Sequence, residues 1–369
     1  TLRKLASPRA AAARSRAPRA RRAARRRPAA LAATPPRAYD GRVEGMAGTV
    51  APAFGELEQH RRELRAYCYR MLGSPFDADD AVQDTLLRAW RARDRFEGRA
   101  AVRSWLYRIA TNVCLDMLNA RKRRARPMDL GPARPPDGPI GEILPETTWI
   151  EPVPDELVIA DDGDPAAVAD ARETIRLAFV AALQHLPPRQ RAVLILCEVL
   201  RWKAAEVAEL LDTSVASVNS ALQRARATLE RREMVADDLA PTVDAADREL
   251  LERYVAAFER YDIEALTDLI REDAIQSMPP YELWLEGRDA IFGWWWGPGI
   301  GCKGSRVVPA GTANGLPAFG QYKPSPDGGY APWALQVVRV QDGGIRELTF
   351  FLSTERLFPL FGLPERLDA

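Results

Sequence analysis

The chain has 369 residues, room for two or three domains, and no apolar run long enough to cross a bilayer as a helix. Its formal charge of +1 hides a polarised chain: residues 1–45 hold thirteen Arg and Lys against Asp40 and Glu44, a local +11 that leaves −10 for the rest. Only His60 and His185 are present, which excludes a His-rich metal site or His-based triad in the C-terminal half, and Cys68, Cys114, Cys197 and Cys302 form no CxxC pair. That cysteine usage points to buried thiols in a reducing cytoplasm. A chain acidic overall but basic on selected helices should bind DNA weakly alone and need a partner to present it.

Residues 1–45 are Ala, Arg and Pro with almost nothing to bury, and are expected to be disordered. Their composition fits a transit peptide or a basic arm on DNA. The favoured reading is that Met46 is the natural start and the upstream segment a start-site artefact. Helical patterning begins near Phe54, with Leu57, Leu64, Tyr67, Cys68 and Met71 on one face. Gly73-Ser74-Pro75 breaks it, and Asp77 or Asp79 is expected to cap a second helix with the stripe Val82, Leu86, Ala89 and Trp90. A loop over Phe96 to Arg99 leads to a long helix from about Val102 to Arg124, turning Val102, Leu106, Ile109, Val113 and Met117 inward.

From Arg126 to Asp170 the pattern dissolves: nine prolines and eleven acids stand against two arginines. This reads as an extended linker, with Pro152-Val153-Pro154 stiff and Trp149 and Ile150 able to anchor it. Two readings stay open, a solvated tether or an acidic strand threading a basic channel in a partner.

Helices resume at Ala171, with Ile175, Phe179, Ala182 and Leu183 apolar. Pro187 to Arg232 then reads as two short helices and a longer one, hinged at Asp212-Thr213-Ser214. The last helix carries an apolar stripe at Val215, Val218, Leu222, Ala225 and Leu229. Its other face holds Ala216, Ser217, Ser220, Gln223 and Arg224, with Arg226 on the flank and no acid between Val215 and Leu229. A helix packed on one side, small, amide-bearing and cationic on the other, fits a DNA major groove, so this is a helix-turn-helix.

After Pro241 the character changes. Leu250, Leu251, Tyr254, Val255 and Phe258 mark an amphipathic helix, and Asp262 caps a shorter one through Leu266 and Leu269. A strand over Ala274 to Met278, a helix from Gly287-Arg288-Asp289 to Trp294 and four strand-like runs near Val307, Phe319, Leu335 and Leu348 follow. Asp342-Gly343-Gly344 is a hairpin signal. Helices first and strands afterward argue an α+β domain, which makes the chain multidomain: two all-α helical domains and a C-terminal α+β domain.

Asp79-Asp80-Ala81-Val82-Gln83-Asp84-Thr85, then Arg103-Ser104-Trp105-Leu106-Tyr107-Arg108-Ile109-Ala110, then the helix-turn-helix, in that order around an acidic linker, resemble the extracytoplasmic-function sigma factors of bacterial RNA polymerase. More narrowly, the chain is similar to the subgroup with a SnoaL-like C-terminal extension. The resemblance covers about Phe54 to Arg232 and Val243 to Leu367. It implies sigma region 2 over 54–125, the linker over 126–170, region 4 over 171–233, and a SnoaL-like, ketosteroid-isomerase-like cone over 243–367.

On that resemblance Asp80, Gln83 and Asp84, sharing one helix face, dock on the polymerase clamp helices. The plainer reading is that they complement the helix dipole. Arg99, Arg103, Tyr107, Asn112, Asp116, Arg121, Lys122, Arg123 and Arg124 fall where the family reads and opens the −10 element, a task that needs π-faces and cations. Trp105 is either a base-stacking group or core, and so is Tyr107. Ser217, Ser220, Gln223 and Arg224 are the expected base-edge readers of the −35 element, with Arg226 and Arg231 on phosphate. One departure stands out: Arg201-Trp202-Lys203 occupies a turn where the family usually has Gly, an aromatic and a capping Ser. Lys203 cannot accept a hydrogen bond, a cost of about 1 kcal/mol against Ser, so a frayed helix start or a lysine diverted to phosphate is expected.

In the extension, Trp284, Trp294, Trp295, Trp296, Phe319, Tyr322, Trp333, Phe350 and Phe351 supply an apolar core and pocket, and three consecutive tryptophans cannot all face one way. Asp273, Glu282, Glu286 and Glu347 form no catalytic motif. Asp342-Gly343-Gly344 resembles a DGG-type motif implicated in holding the sigma part in check. No catalytic residue, metal or cofactor is expected. The expected function is promoter recognition with core RNA polymerase in the cytoplasm, away from membranes, regulated in cis by the extension, whose pocket is a candidate site for a small-molecule ligand. The alternatives are a one-component DNA-binding regulator with a ligand-sensing domain, which does not need the Asp80, Gln83, Asp84 face, and an enzyme fused to a DNA-binding module, which needs a titratable pocket residue with a perturbed pKa.

Overall fold

The computed structural model describes residues 52–96, 98, 101–119, 123–159, 165–231 and 245–368. The expectations for residues 1–45 and for Arg99, Arg121 and Lys122 fall outside them.

The patterning from Phe54 resolves into α1 (Phe54–Glu58) and α2 (Arg61–Leu72). Gly73 ends α2 in the left-handed region at φ 74°, the usual glycine C-cap. Ser74, rather than Asp77 or Asp79, caps α3 (Pro75–Ala92), its hydroxyl accepting from the Asp77 amide at 3.3 Å, and Pro75 sits in the first turn, where no amide is needed. Trp90, expected inward, lies on the outer face at 37 % exposure. α4 (Val102–Asn119) stops short of the arginine run. Arg123 and Arg124 sit in the connecting chain, where Ala125 makes a β-bridge to Trp149.

The linker is not a solvated tether. Trp149, Ile150, Val153, Val158 and Ile159 are buried, and the first half lies along the extension. There the Arg134 amide donates to the Trp284 carbonyl at 2.9 Å, and the Trp284 indole to the Gly131 carbonyl at 2.9 Å. Sparse apolar residues suffice because two neighbouring surfaces, not water, receive them.

The second helical module comprises α5 (Pro165–Ile175), α6 (Leu177–Gln184), α7 (Pro188–Leu194), α8 (Ala204–Leu210) and α9 (Val215–Glu230), with a π turn after α7 at Ile195–Val199. It shares one continuous apolar core with the first module and the linker, from Leu57 through Tyr107, Val153 and Phe179 to Leu229. Arg70 and Arg191 cross this boundary. Arg70 donates to Thr174 Oγ1 at 2.7 Å, and Arg191 to the Met71 carbonyl and to Gln184 Oε1. Burial lowers both guanidiniums to about 10.

The extension builds α10 (Ala245–Arg260), α11 (Ile263–Leu269), β1 (Ile270–Ser277), β2 (Trp284–Glu286), α12 (Arg288–Trp296), β3 (Arg306–Ala313), β4 (Leu316–Pro324), β5 (Tyr330–Gln341), β6 (Gly344–Phe351) and α13 (Thr354–Leu360). The six-stranded sheet runs β2-β1-β6-β5-β4-β3, with β1 and β6 parallel and every other pair antiparallel. β2, too short to show a period, has no counterpart in the sequence-based expectation. One sheet face packs on α10, α11 and α12 through Tyr254, Phe258, Leu266, Trp295, Leu348 and Phe350. The other packs on α13 and reaches the helical modules at Phe76 and Leu177. Of the three tryptophans, Trp294 and Trp295 are buried and Trp296 is half-buried against Tyr261 and Phe292.

Candidate polymerase- and DNA-binding surfaces

α3 presents Asp80 and Gln83 fully outward and Asp84 partly so, spaced three and four apart. The neighbouring charges organise the ridge. Asp79 takes Arg65 at 2.7 Å and Gln83 at 3.3 Å, while Asp84 takes Arg88 at 3.1 Å. The same face continues through Leu87 and Trp90 to Phe54 of α1, whose ring meets Trp90 edge-on at 5.8 Å. Arg93 covers the other side of Trp90 at 3.8 Å.

Among the described residues, those expected to handle the −10 element do not form one open surface. Asn112 and Asp116 are exposed, and Asp116 lies 3.7 Å from Arg88. Arg103 donates to Glu63 at 2.7 Å and Tyr107 to the same oxygen at 3.3 Å. Tyr107 is fully buried between Tyr67 and Trp202, with ring centroids 5.2 and 5.1 Å away. Burial, and then the Glu63 charge, push its phenol well above the ordinary value. Arg103 packs over both Tyr107 and Trp202 at 5.1 and 5.4 Å. Arg123 contacts His185 Nδ1.

Arg124 is a correction to the expected phosphate run. It is 7 % exposed and donates to Asp77 at 2.6 Å, to Glu151 at 3.5 Å and to the Glu146 and Trp149 carbonyls. A guanidinium with five donors satisfies several acceptors at the start of the linker at once, so it is structural.

Trp105 is half-buried and stacks on Phe96 at 5.0 Å. This pair, with Arg95, Ser104 and Arg108, faces Glu206, Glu209 and Leu210 of α8 across a cleft of about 490 Å³. Arg108 closes one side by donating to the Glu209 carbonyl at 2.8 Å, a cation at a helix C-terminus.

The recognition helix α9 has a different exposure. Ser217, Gln223 and Arg224 are exposed and Ser220 half-exposed, accepting from Arg224 at 2.6 Å. Ser214 caps the helix by accepting from the Ser217 amide at 3.2 Å. Val218, Ala225 and Leu229 are buried, but Val215, expected in the stripe, is 43 % exposed because the first turn overhangs the core. Arg226, expected on phosphate, pairs with Glu198. Arg231 is exposed at the helix end, donating to the Ala227 carbonyl at 3.0 Å. α8 begins at Ala204 without a fray: the Glu206 carboxylate accepts from the Lys203 amide at 2.6 Å, supplying the half of a capping box that a lysine does not block.

In the extension, the interior is crossed by a chain of uncharged groups. Tyr254 donates to Gln336 at 3.0 Å, Gln336 to Gln321 at 3.0 Å and Gln321 to Ser305 at 3.0 Å. The Trp295 indole donates to Gln276 at 2.7 Å. The acids lie elsewhere: Asp273 is exposed and paired with Arg271, Glu282 pairs with Arg134, and Glu347 with Arg339. Asp342 and Gly343 form the two-residue β5–β6 turn at φ 51° and 74°. Among the described residues its side-chain partner is Arg271, on the extension itself.

The β3–β4 turn, Asn314-Gly315, at φ 55° and 75°, does reach the helical modules, through Tyr69 and Ile175. Asn314 is fully buried. Sequence reasoning passed over this turn, and weighed the Arg201-Trp202-Lys203 turn only for its helix cap, not for what Trp202 packs against. An Asn-Gly pair between alternating runs is the strongest short hairpin signal and was there to be read; nothing local marks what it inserts into.

Two helical modules with an outward acidic ridge and an outward recognition helix, followed by an α+β cone, define a sigma-70-type initiation factor with a C-terminal extension. Comparison with family models agrees: residues 57–124 match Sigma-70 region 2, residues 176–229 match Sigma-70 region 4, and residues 251–348 match the SnoaL-like domain. The chain is 47 % identical over 315 residues to the ECF RNA polymerase sigma factor SigG of Mycobacterium tuberculosis (strain CDC 1551 / Oshkosh), an alignment covering 84 % of this chain and 83 % of the relative. It is 31 % identical over 180 residues to SigM of Mycobacterium tuberculosis (strain ATCC 25618 / H37Rv), covering 48 % of this chain and 76 % of the relative. The crystal structure of the Mycobacterium tuberculosis extracytoplasmic function sigma factor SigJ superposes with a TM-score of 0.52 at 24 % identity, covering 85 % of this chain and all of that one, a likeness of fold. The chain belongs to the extracytoplasmic-function RNA polymerase sigma factors.

Proposed function

We propose that this sigma factor docks on core RNA polymerase through Asp80, Gln83 and Asp84, reads the −35 element with Ser217, Ser220, Gln223 and Arg224, and is held by its extension in a form that cannot engage the −10 element. The carrying observation is the unequal exposure of these surfaces. The acidic ridge and recognition helix face solvent, while Tyr107 is buried against Trp202 of the second module and Arg103 is tied to Glu63 and packs over both rings. A one-component regulator gives the ridge no role. Covalent chemistry is not part of the proposal, since uncharged glutamines line the interior and the acids sit in ion pairs or on the surface. The expected setting is the cytoplasm; among the described residues no helix is long and apolar enough to cross a membrane.

The test is core-polymerase binding and in vitro transcription with the full chain. Asp80→Arg with Asp84→Arg should abolish holoenzyme formation while leaving the fold intact by circular dichroism. Wild-type affinity in that double variant would reject the docking assignment. A protease site engineered between residues 232 and 244, cut before addition of polymerase, should raise promoter output; equal output from cut and uncut protein would reject regulation in cis.

A further inference from the structure

One side chain of the extension touches every part that must separate for the sigma modules to reach two promoter elements. Asn314 Nδ2 donates to the Tyr69 hydroxyl of α2 at 2.7 Å and to the Ile175 carbonyl at the end of α5 at 2.5 Å. Its Oδ1 accepts from the Val153 amide of the linker at 3.0 Å, and its own amide donates to the Val153 carbonyl at 3.1 Å. Next to it, the Gly315 amide donates to Asp155 Oδ1 at 2.8 Å. Tyr69 passes the connection on, its hydroxyl donating to the Glu151 carbonyl at 2.8 Å. First module, linker, second module and extension therefore meet at one buried amide.

The chemistry restricts this position. The side chain must donate twice and accept once, which excludes Asp, and it must sit at φ 55°, which Asn tolerates and β-branched residues do not. A Cβ on Gly315 would lie 3.3 Å from the Arg172 Cβ and would have to adopt φ 75°, so any other residue is strained there. A buried amide with all these bonds made is stabilising; with one partner withdrawn, the orphaned groups oppose closure. The joint is thus cooperative, a property of a contact that is either fully seated or released.

We propose that the Asn314-Gly315 turn is the releasable pin that fixes the first helical module to the second, and that its withdrawal lets the two modules part. This rests on the reading that the extension regulates the chain in cis, and adds the contact that carries the regulation. A second tie, Arg356 of α13 packed over Phe76 at 3.8 Å and paired with Glu146 and Glu151, keeps the extension beside the first module after the pin leaves.

The experiment uses the full chain. Asn314→Gly removes the side chain while suiting the left-handed backbone; Tyr69→Phe removes one partner from the other side and serves if the first variant misfolds. Hydrogen exchange at Val153, Asn314 and Gly315, small-angle scattering and core-polymerase binding are measured together. The expected result is exchange faster by at least about fivefold, the factor for one net hydrogen bond, with a larger radius of gyration, retained helicity and tighter polymerase binding. Unchanged exchange and radius in both variants would overturn the pin. An expanded chain with unaltered polymerase binding and transcription upholds the pin and refutes regulation in cis. A chain still compact in both variants, yet activated by severing the extension, refutes the pin and leaves that regulation standing.

Discussion

Trp202 lies with its ring 5.1 Å from that of Tyr107, across the boundary between the two helical modules. The turn that departs from the family pattern is thus the one that reaches the residues proposed to engage the −10 element. Its indole Nε1 is buried without a hydrogen-bond partner among the described residues. A buried orphan donor costs about 1–3 kcal/mol, so this contact is strong in apolar packing and weak in polar satisfaction.

Trp202→Ala is therefore expected to lower the stability of the free chain by about 1–3 kcal/mol, the value of a partly buried aromatic, and to raise its affinity for a single-stranded −10 oligonucleotide. Trp202→Phe, which keeps the ring without the orphan donor, should lose less stability. Thermal melts and fluorescence anisotropy with the full chain check both; an alanine variant that binds the oligonucleotide no better than wild type removes Trp202 as the latch.

Arg201 holds φ 61°, where a Cβ is strained, although it gains an exposed ion pair with Asp170 at 3.8 Å. Arg201→Gly should leave stability unchanged or raise it by up to about 1 kcal/mol, since the left-handed cost of about 1–2 kcal/mol is relieved and the loss in unfolded-chain entropy opposes it. Lys203→Ser should add about 1 kcal/mol by capping α8. Unfolding in urea measures each, and a Lys203→Ser midpoint equal to wild type would mean that the Glu206 bond already supplies the whole cap.

Arg124→Ala should cost about 3–5 kcal/mol, because Asp77 and Glu151 would lose the guanidinium they share at the start of the linker, Glu151 keeping only the longer pair with Arg356 at 3.6 Å. DNA affinity measured well below the melting temperature should stay near that of wild type. A variant that keeps its stability and loses DNA binding would restore the phosphate-contact role expected from the arginine run.

Burial pushes the Asp155 carboxyl above its ordinary value of 3.8, against the pull of the Gly315 amide and of Arg172 and Arg176. The folded chain therefore holds this proton more tightly than the unfolded chain. Its contribution to stability is greatest below the ordinary value and declines as pH rises through the window between that value and the raised one. Glu151 is shifted the same way by burial. Asp155→Asn keeps an acceptor for Gly315 and removes the charge, so the fall in stability across the mildly acid range should flatten. Denaturation curves at a series of pH values decide it, and an unaltered slope would exclude Asp155 as its source.

Much of the architecture was legible from residues in order. The stripes Leu57–Met71 and Val218–Leu229, the breaker Gly73-Ser74-Pro75 and the turn Asp342-Gly343 each fix local structure through spacing and backbone preference, and α2, α3, α9 and the β5–β6 hairpin follow from them. The outward Asp80, Gln83 and Asp84 face was readable for the same reason, because helical period alone decides what shares a side. What the order of residues could not supply is which surfaces meet. Arg124 and Arg123 are neighbours in one basic run, yet Arg124 is buried beneath the linker and Arg123 is exposed. Trp202, Asn314 and Val153 acquire their roles only from partners tens to hundreds of positions away, and the acidic linker has a place to lie only because the extension and both modules enclose it. Local propensity acts over one turn of chain; burial of an arginine, an indole or a carboxamide depends on three-dimensional neighbours that arrive only when the whole chain packs.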